Sequence, residues 1–318
     1  MSPSILIVGA TGNTGRAVTQ TLPKLLQSSS VLSGHRIIAL TRSSDSPAAK
    51  ELAKLPGVEV VEQNWVEITA EWLRTNEVTR AFVASHNGPT QFAEESTFYL
   101  NALTAGVQYV VRISTTAANV RPDCPAYYAR QHWAIEALLS SPEFESLQWT
   151  SLQPNVYSTL IMSPAAELIK KFRKTGEQDA LRLMLAEDAP VGIIDPDEIG
   201  VAAAHLLSQY DTTVHNKAKY VLNGPEDITG KQIVEMVEQH IGMPLKHVSY
   251  KDVSFIDSLY QYQYAATKQS KNVIYSIQRA PETAWAGQCS TSTSSKEILE
   301  LAAPKRSPAD VLKALLEG

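Results

Sequence analysis

Residues 5–16 read Ile5-Leu6-Ile7-Val8-Gly9-Ala10-Thr11-Gly12-Asn13-Thr14-Gly15-Arg16. An apolar run of strand type ends abruptly in three glycines spaced three apart, and a stretch of helical character follows over 17–26. The pattern is strand, tight turn, helix N-terminus. Glycine tolerates positive φ and lets the backbone come close to a ligand. The helix aims its free N–H groups and the positive end of its dipole at the same spot, which suits a phosphate. The spacing G-x-x-G-x-x-G departs from the G-x-G-x-x-G of the standard dinucleotide fingerprint. Taken alone, the turn also suits an ordinary strand-to-helix connection. Its place after the first strand of a chain that keeps alternating favours the phosphate-binding reading.

That alternation continues for half the chain. Strands are expected at 36–41, 58–61, 81–84, 108–113 and 148–152, and helices up to Leu55, at 70–75, at 91–105 and at 126–139. Gly106 follows the third of these helices as a C-cap signal. Strands alternating with helices through short loops call for an α/β fold, a doubly wound parallel sheet with helices on both faces. All the loops at strand C-termini then fall on one edge of the sheet, where ligands bind. Gly9–Gly15, Arg42, Asn64, Ser85–Asn87, Ser114–Thr116 and Pro154–Asn155 are expected to converge there. Beyond 156 the rhythm changes to helical stretches at 165–174, 195–207 and 230–240, with short strand candidates at 219–222 and 246–250. The expected division is a nucleotide-binding domain over 1–155 and a smaller mixed lobe over 156–318, partly interleaved with the sheet, on the substrate side of the cleft.

The bulk properties narrow the function classes. Net charge is −5, with 28 Lys and Arg against 33 Asp and Glu and no basic cluster, which argues against nucleic acid as a main partner. No apolar stretch has the length of a membrane span. The two cysteines, Cys124 and Cys289, stand far apart without a C-x-x-C, so unpaired thiols in a cytoplasmic protein are expected, with neither a disulfide framework nor a metal site.

Several segments, in order, resemble the NmrA-like branch of the atypical short-chain dehydrogenase/reductases. They are the glycine turn, Asn101-Ala102-Leu103-Thr104-Ala105-Gly106-Val107-Gln108-Tyr109-Val110, Asp195-Pro196-Asp197-Glu198-Ile199-Gly200, and Leu222-Asn223-Gly224-Pro225-Glu226-Asp227-Ile228-Thr229. The likeness covers roughly residues 4–250 and leaves the C-terminal tail unmatched. It implies a Rossmann fold that binds NADP(H) in either of two kinds of protein, a reductase of small molecules or a redox sensor without turnover.

An acidic residue after the second strand suits the ribose hydroxyls of NAD; an arginine suits the 2′-phosphate of NADP. Arg42 stands there, and its planar fork matches a phosphate. The expected cofactor contacts are Gly9, Thr11, Gly12, Asn13, Thr14, Gly15, Arg42, Asn64, Ser85, His86, Pro154 and Asn155. Asn64 occupies a place where the family often has Asp. Typical members of the superfamily also carry Tyr-x-x-x-Lys on the helix after strand five and a Ser at that strand's end. Here Tyr128 and His132 lie four apart on one helix face, Ser114 is at the strand end, and His132 replaces the Lys. An imidazole, mostly neutral at neutral pH, favours phenolate less than an ammonium does. Trp133 and Leu138 are expected on the core face, and a few of the tail aromatics Phe255, Tyr260, Tyr262, Tyr264, Tyr275 and Trp285 in the wall of an apolar substrate pocket. The resulting expectation is an NADPH-dependent reductase of a small apolar or aromatic substrate (C=C, C=N, quinone or carbonyl), with Tyr128, His132 and Ser114 as catalytic candidates. The alternatives are an NADP(H)-sensing regulator with a protein partner, or a non-redox isomerase or cyclase.

Overall fold

The computed structural model describes residues 2–29, 31–265 and 268–317. Its strands are β1 (Ser4–Val8), β2 (Arg36–Thr41), β3 (Val58–Glu62), β4 (Val78–Val83), β5 (Tyr109–Ile113), β6 (Gln148–Pro154), β7 (Leu181–Arg182), β8 (Ala218–Leu222) and β9 (Val248–Ser249). The helices of the first half are α1 (Asn13–Ser28), α2 (Pro47–Leu52), α3 (Ala70–Thr75), α4 (Gln91–Ala105) and α5 (Tyr127–Leu139). The second half adds α6 (Ser158–Thr175), α7 (Pro196–Leu207), α8 (Gly230–Ile241), α9 (Phe255–Leu259), α10 (Lys271–Tyr275), α11 (Glu282–Trp285), α12 (Lys296–Ala302) and α13 (Pro308–Glu317).

Seven strands form one sheet in the order β3-β2-β1-β4-β5-β6-β8, and all neighbouring pairs are parallel. The first six give the 3-2-1-4-5-6 order of a Rossmann fold. The apolar strand runs have no polar alternation because both faces are covered. Ile5 and Ile7, with Ile37 and Ala39, pack under α1, α7 and α12. Leu6 and Val8, with Ile38 and Leu40, pack under α3, α4 and α5. A third core joins α6, α8 and α13 to Leu181, Leu183 and Leu185, and β7 and β9 pair in a second, two-stranded sheet.

The second half of the chain is not all lobe. The strand expected there at 219–222 is β8, which pairs with β6 and extends the main sheet. Without it β6 would be the open edge of a parallel sheet. The outer edge of β8 is in turn met by Ser295, whose hydroxyl accepts from the Val221 N–H and whose N–H donates to the Val221 carbonyl. Helix α7 packs on the first core and α12 follows it, so residues beyond 155 complete both the sheet and one helical layer. Helix α6 begins at Ser158, seven residues earlier than expected, and carries Pro164 inside it.

Glycines set the closest approaches. Gly9 sits at φ +81, and a Cβ there would lie 2.7 Å from the Ala84 carbonyl oxygen. A Cβ on Gly15 would lie 2.1 Å from the Gly9 carbonyl oxygen, so the third glycine of the turn lets α1 pack back on the turn itself. One turn into α7, a Cβ on Gly200 would come within 2.4 Å of the Thr14 carbonyl oxygen and 2.6 Å of Ala17 Cβ. Backbone meets backbone there, so neither side can yield cheaply. Gly200→Ala is expected to destabilise the protein by about 1–3 kcal/mol, the usual cost of overpacking, read as a lower urea midpoint. An unchanged midpoint would show that α7 does not press on α1.

Candidate active site

The C-terminal ends of the first five strands open onto a groove of about 510 Å³. Gly9, Thr11, Gly12, Asn13 and Thr14 form its floor near β1, at the strand-order switch between β1 and β4. Helix α1 has no side-chain cap, so the N–H groups of its first turn have no intrahelical partner and face this end. Toward β3 the groove is closed by Leu40, Thr41, Arg42, Gln63 and Trp65; toward β5 by Ala84, Ser85, His86, Asn87, Ser114 and His132, with Ile113 and Tyr157.

Most of the expected contacts are thus brought together, and four are placed elsewhere. Asn64 is exposed outside the groove, while its neighbours Gln63 and Trp65 line it. Gly15 is packed against Gly9. Pro154 is the buried last residue of β6. Asn155 lines a neighbouring cavity, and its Nδ2 donates to Asn223 Oδ1 (2.9 Å) and to the Cys289 carbonyl (2.8 Å). For Asn64, Pro154 and Asn155 the physical reason is the strand lengths. β3 and β6 each run past the expected end, to Glu62 and Pro154, which displaces the loop residues that follow.

The electrostatics of the groove suit an anion. Among the described residues lining it none is acidic, and Arg42 has no ion pair there. The nearby acids are engaged: Glu62 accepts from the Ser44 N–H (2.9 Å) and hydroxyl (2.8 Å), and Asp45 pairs with Lys50 (3.2 Å). The Ser114 hydroxyl is buried, lines the groove and has no partner among the described residues. A glycine cradle, open helix N–H groups, a free arginine and an orphaned hydroxyl together fit a phosphate-bearing dinucleotide.

Below the β5 end lies a buried polar network. Arg112, in the middle of β5, is fully buried. Its Nη2 is 3.2 Å from Glu95 Oε2 on α4, and its Nη1 is 3.7 Å from Glu136 Oε1 on α5. Nη2 also donates to His132 Nδ1 at 2.8 Å. Since guanidinium can only donate, Nδ1 is an acceptor, and the His132 proton sits on Nε2, which donates to Asn87 Oδ1 at 3.0 Å. Burial, with the Arg112 charge beside it, holds His132 well below the ordinary histidine range. It is a neutral, oriented imidazole. The Ser85 hydroxyl donates to Glu95, and the Tyr127 hydroxyl donates to the Asn87 carbonyl at 2.6 Å. This network also sets the rotation of α5. His132 and Glu136 point at Arg112, which leaves Trp133, expected in the core, 38% exposed, with Ile135 and Leu139 in the core instead.

His86 and Asn87 line both the groove and a second cavity of about 630 Å³. Tyr128 lies in its wall; burial, eased by a hydrogen bond with the Thr115 hydroxyl, pushes the phenol up to about 12, so it keeps its proton at neutral pH. The rest of the wall includes Val156, Met184, Phe255, Tyr264, Ile277 and Ala284, and among the described residues lining this cavity none is Asp, Glu, Lys or Arg; His86, at its edge, pairs with Glu94 on α4. The tail beyond 255 therefore supplies much of the apolar wall.

The sequence profile of the NmrA-like family matches residues 1–300. The chain belongs to the NmrA-like family. Among curated relatives, a (4-alkanoyl-5-oxo-2,5-dihydrofuran-3-yl)methyl phosphate reductase of Streptomyces griseus subsp. griseus is 26% identical over 250 residues, 76% of this chain and 75% of that protein. An NAD(P)H azoreductase of Xenophilus azovorans is 26% identical over 245 residues, 77% and 76% of the two chains. Among solved structures, an NADPH-dependent quinone oxidoreductase of Escherichia coli complexed with NADPH superposes with a TM-score of 0.71 at 19% identity, covering 98% of this chain and 99% of that one. Among the described residues no helix is long and apolar enough to cross a membrane.

In this NmrA-like chain the residues that motif spacing missed are Gln63, Trp65 and Arg112; Asn87, expected at this edge, is there, and its bond to His132 is what spacing did not foresee. Arg112 left a signal, a lone arginine inside the apolar run Tyr109-Val110-Val111-Arg112-Ile113.

The state of His132 has a pH consequence. Its folded pKa lies below the unfolded value of about 6.5, so below that pH the unfolded chain binds a proton that the folded chain does not. Stability is full above about pH 6.5 and falls as pH is lowered, by up to about 1.4 kcal/mol per pH unit for this group. His35, His205 and His215, also lowered mainly by burial, act in the same direction. Urea melts between pH 7 and 5 are expected to show this slope, and His132→Gln, which can accept from Arg112 and donate to Asn87, to reduce it. Equal slopes would show that His132 is not held neutral.

Proposed function

We propose that this chain is an NADPH-dependent reductase of a small, uncharged, apolar or aromatic organic substrate. The observation that carries the reading is the junction of the two spaces at His86 and Asn87, an anion-suited groove on one side and an uncharged cavity on the other. A dinucleotide along the groove would rest its phosphates on the turn Gly9–Thr14 and the start of α1, with Arg42 at the 2′-phosphate and Gln63 and Trp65 at the adenine end. Ser114, Asn87 and Tyr157 would meet the nicotinamide end. When bound, the reduced nicotinamide supplies the hydride.

The chain's own residues do the rest. Asn87, with its carboxamide oxygen fixed by His132, presents its amide N–H groups at the junction. Tyr128 keeps a protonated phenol on the cavity side and can donate it to a reacting oxygen or nitrogen. His132, neutral and held by Arg112, positions Asn87. An ammonium in its place would stand against the Arg112 guanidinium. The largely apolar wall favours a neutral substrate. A phosphorylated substrate, as the name of the Streptomyces relative describes, would find no lysine or arginine among the described lining residues. The reductase names of the two curated relatives support the reading.

Two outcomes test it. Arg42→Glu places a carboxylate against a 2′-phosphate, so its Kd for NADPH is expected to rise at least tenfold more than its Kd for NADH; equal affinity of the wild type for the two would end the NADP assignment. In assays of NADPH oxidation with quinones, enones, imines and azo compounds, Tyr128→Phe is expected to keep NADPH affinity. It should slow turnover, by on the order of 10²–10⁴-fold where a proton must be delivered. Tight NADPH binding with no oxidation by any acceptor would favour a cofactor-sensing regulator.

A further inference from the structure

The uncharged cavity does not end at its own wall. A further cavity of about 580 Å³ lies against it, and Leu160, Met184 and Phe255 line both. Leu160 is 61% and Phe255 42% exposed, so two large apolar side chains are presented to open space where the cavities meet. The inner surface of the further cavity is aliphatic, from Ile161, Pro164, Leu168 and Leu181. Its charges are matched: Lys171 Nζ lies 2.7 Å from Asp179 Oδ1, and Arg182 Nη1 lies 3.0 Å from Asp252 Oδ2. Glu167 adds a carboxylate to the lining and opposes an anionic group. Each space is of the size that holds an organic ligand, and a compact ring fills only the first.

We propose that the further cavity is a subsite for an aliphatic chain carried by the substrate. The substrate class is then an uncharged reducible ring, a quinone or conjugated enone, bearing an alkyl chain of several carbons that passes between Leu160, Met184 and Phe255. The ring occupies the cavity beside Tyr128 and Asn87, and the chain buries its methylenes against Ile161, Leu168 and Leu181. The proposal rests on the reductase reading for the ring and on the joined cavities for the chain.

The test separates the two. Calorimetry with unreactive 4-alkylphenols, methyl to octyl, measures the chain site without turnover. In the wild-type chain Kd is expected to fall by up to about fourfold per methylene and then to level off once the cavity is filled. Ala180, exposed and lining only the further cavity, permits a blocking variant that leaves the core intact. In Ala180→Trp the preference for octyl over methyl is expected to collapse. A wild-type Kd that changes less than twofold across the series, or a full slope retained in Ala180→Trp, overturns the subsite. The matching 2-alkyl-1,4-benzoquinones are assayed in parallel for NADPH oxidation, where kcat/KM is expected to rise with chain length. A steep phenol slope lost in Ala180→Trp, with no NADPH oxidation by any alkylated quinone, enone, imine or azo acceptor, supports the chain site and removes the reductase reading alone.

Discussion

A guanidinium buried at the centre of a parallel sheet cannot be left without partners, and much of this structure follows from meeting that demand. An unpaired buried charge costs several kcal/mol, and even a paired one recovers little net stability. What Arg112 does instead is specify geometry. Glu95 on α4 and Glu136 on α5 must both reach it, which fixes the two helices against β5 and against each other. Ser151 on β6 takes a further donor, and its own hydroxyl donates to Glu136 at 2.7 Å. Lys219 on β8 reaches the same carboxylate group from the surface at 3.3 Å. A line of polar groups thus runs through the sheet from the outer strand to the groove, where it ends in His132, Asn87 and Ser85. The same demand turns α5 so that Trp133 faces outward.

At the other end of the groove the constraint is steric. Gly9, Gly15 and Gly200 allow three pieces of backbone to stack within distances that no side chain permits. The turn, the start of α1 and the start of α7 are therefore packed as one block. Because α7 comes from the second half of the chain, the glycine turn is held in place by residues nearly two hundred positions away. Rigidity in the turn matters for a cradle of N–H groups, which binds an anion only if the groups converge without reorganisation.

The cavity beside Tyr128 is a product of how the second half returns. Asn155 at the end of β6 bonds to Asn223 after β8 and to the Cys289 carbonyl, and Asn223 bonds to Thr293 and Ser294, each at 3.0 Å. This chain of amides draws the tail across the sheet edge. The Asn119 side chain ties in the loop after β5, donating to the Ala280 carbonyl at 3.0 Å and accepting from Thr283. With the tail so anchored, Phe255, Ile277 and Ala284 stand with Tyr128 in the wall of one cavity.

What the sequence by itself determined was everything that depends on local pattern: the glycine turn, the alternation of strand and helix, the doubly wound sheet and the edge on which the ligand groove lies. The positions of Arg42 just after β2 and of Tyr128 and His132 on one helix were legible for the same reason, since strand ends and four-residue helical spacing place them without knowledge of distant contacts. Tertiary structure alone decided the rest. That Gln63 and Trp65 rather than Asn64 line the groove depends on one extra residue in β3, and that Pro154 is buried depends on two in β6; such boundaries are set by pairing with neighbouring strands. The tautomer and neutrality of His132 depend on Arg112, a residue 20 positions away that spacing does not connect to it. The cavities depend on a tail whose short helices carry no periodic signal of where they dock. Local pattern fixes which backbone groups can pair along the chain; where a buried charge finds its partners is settled only when the layers close.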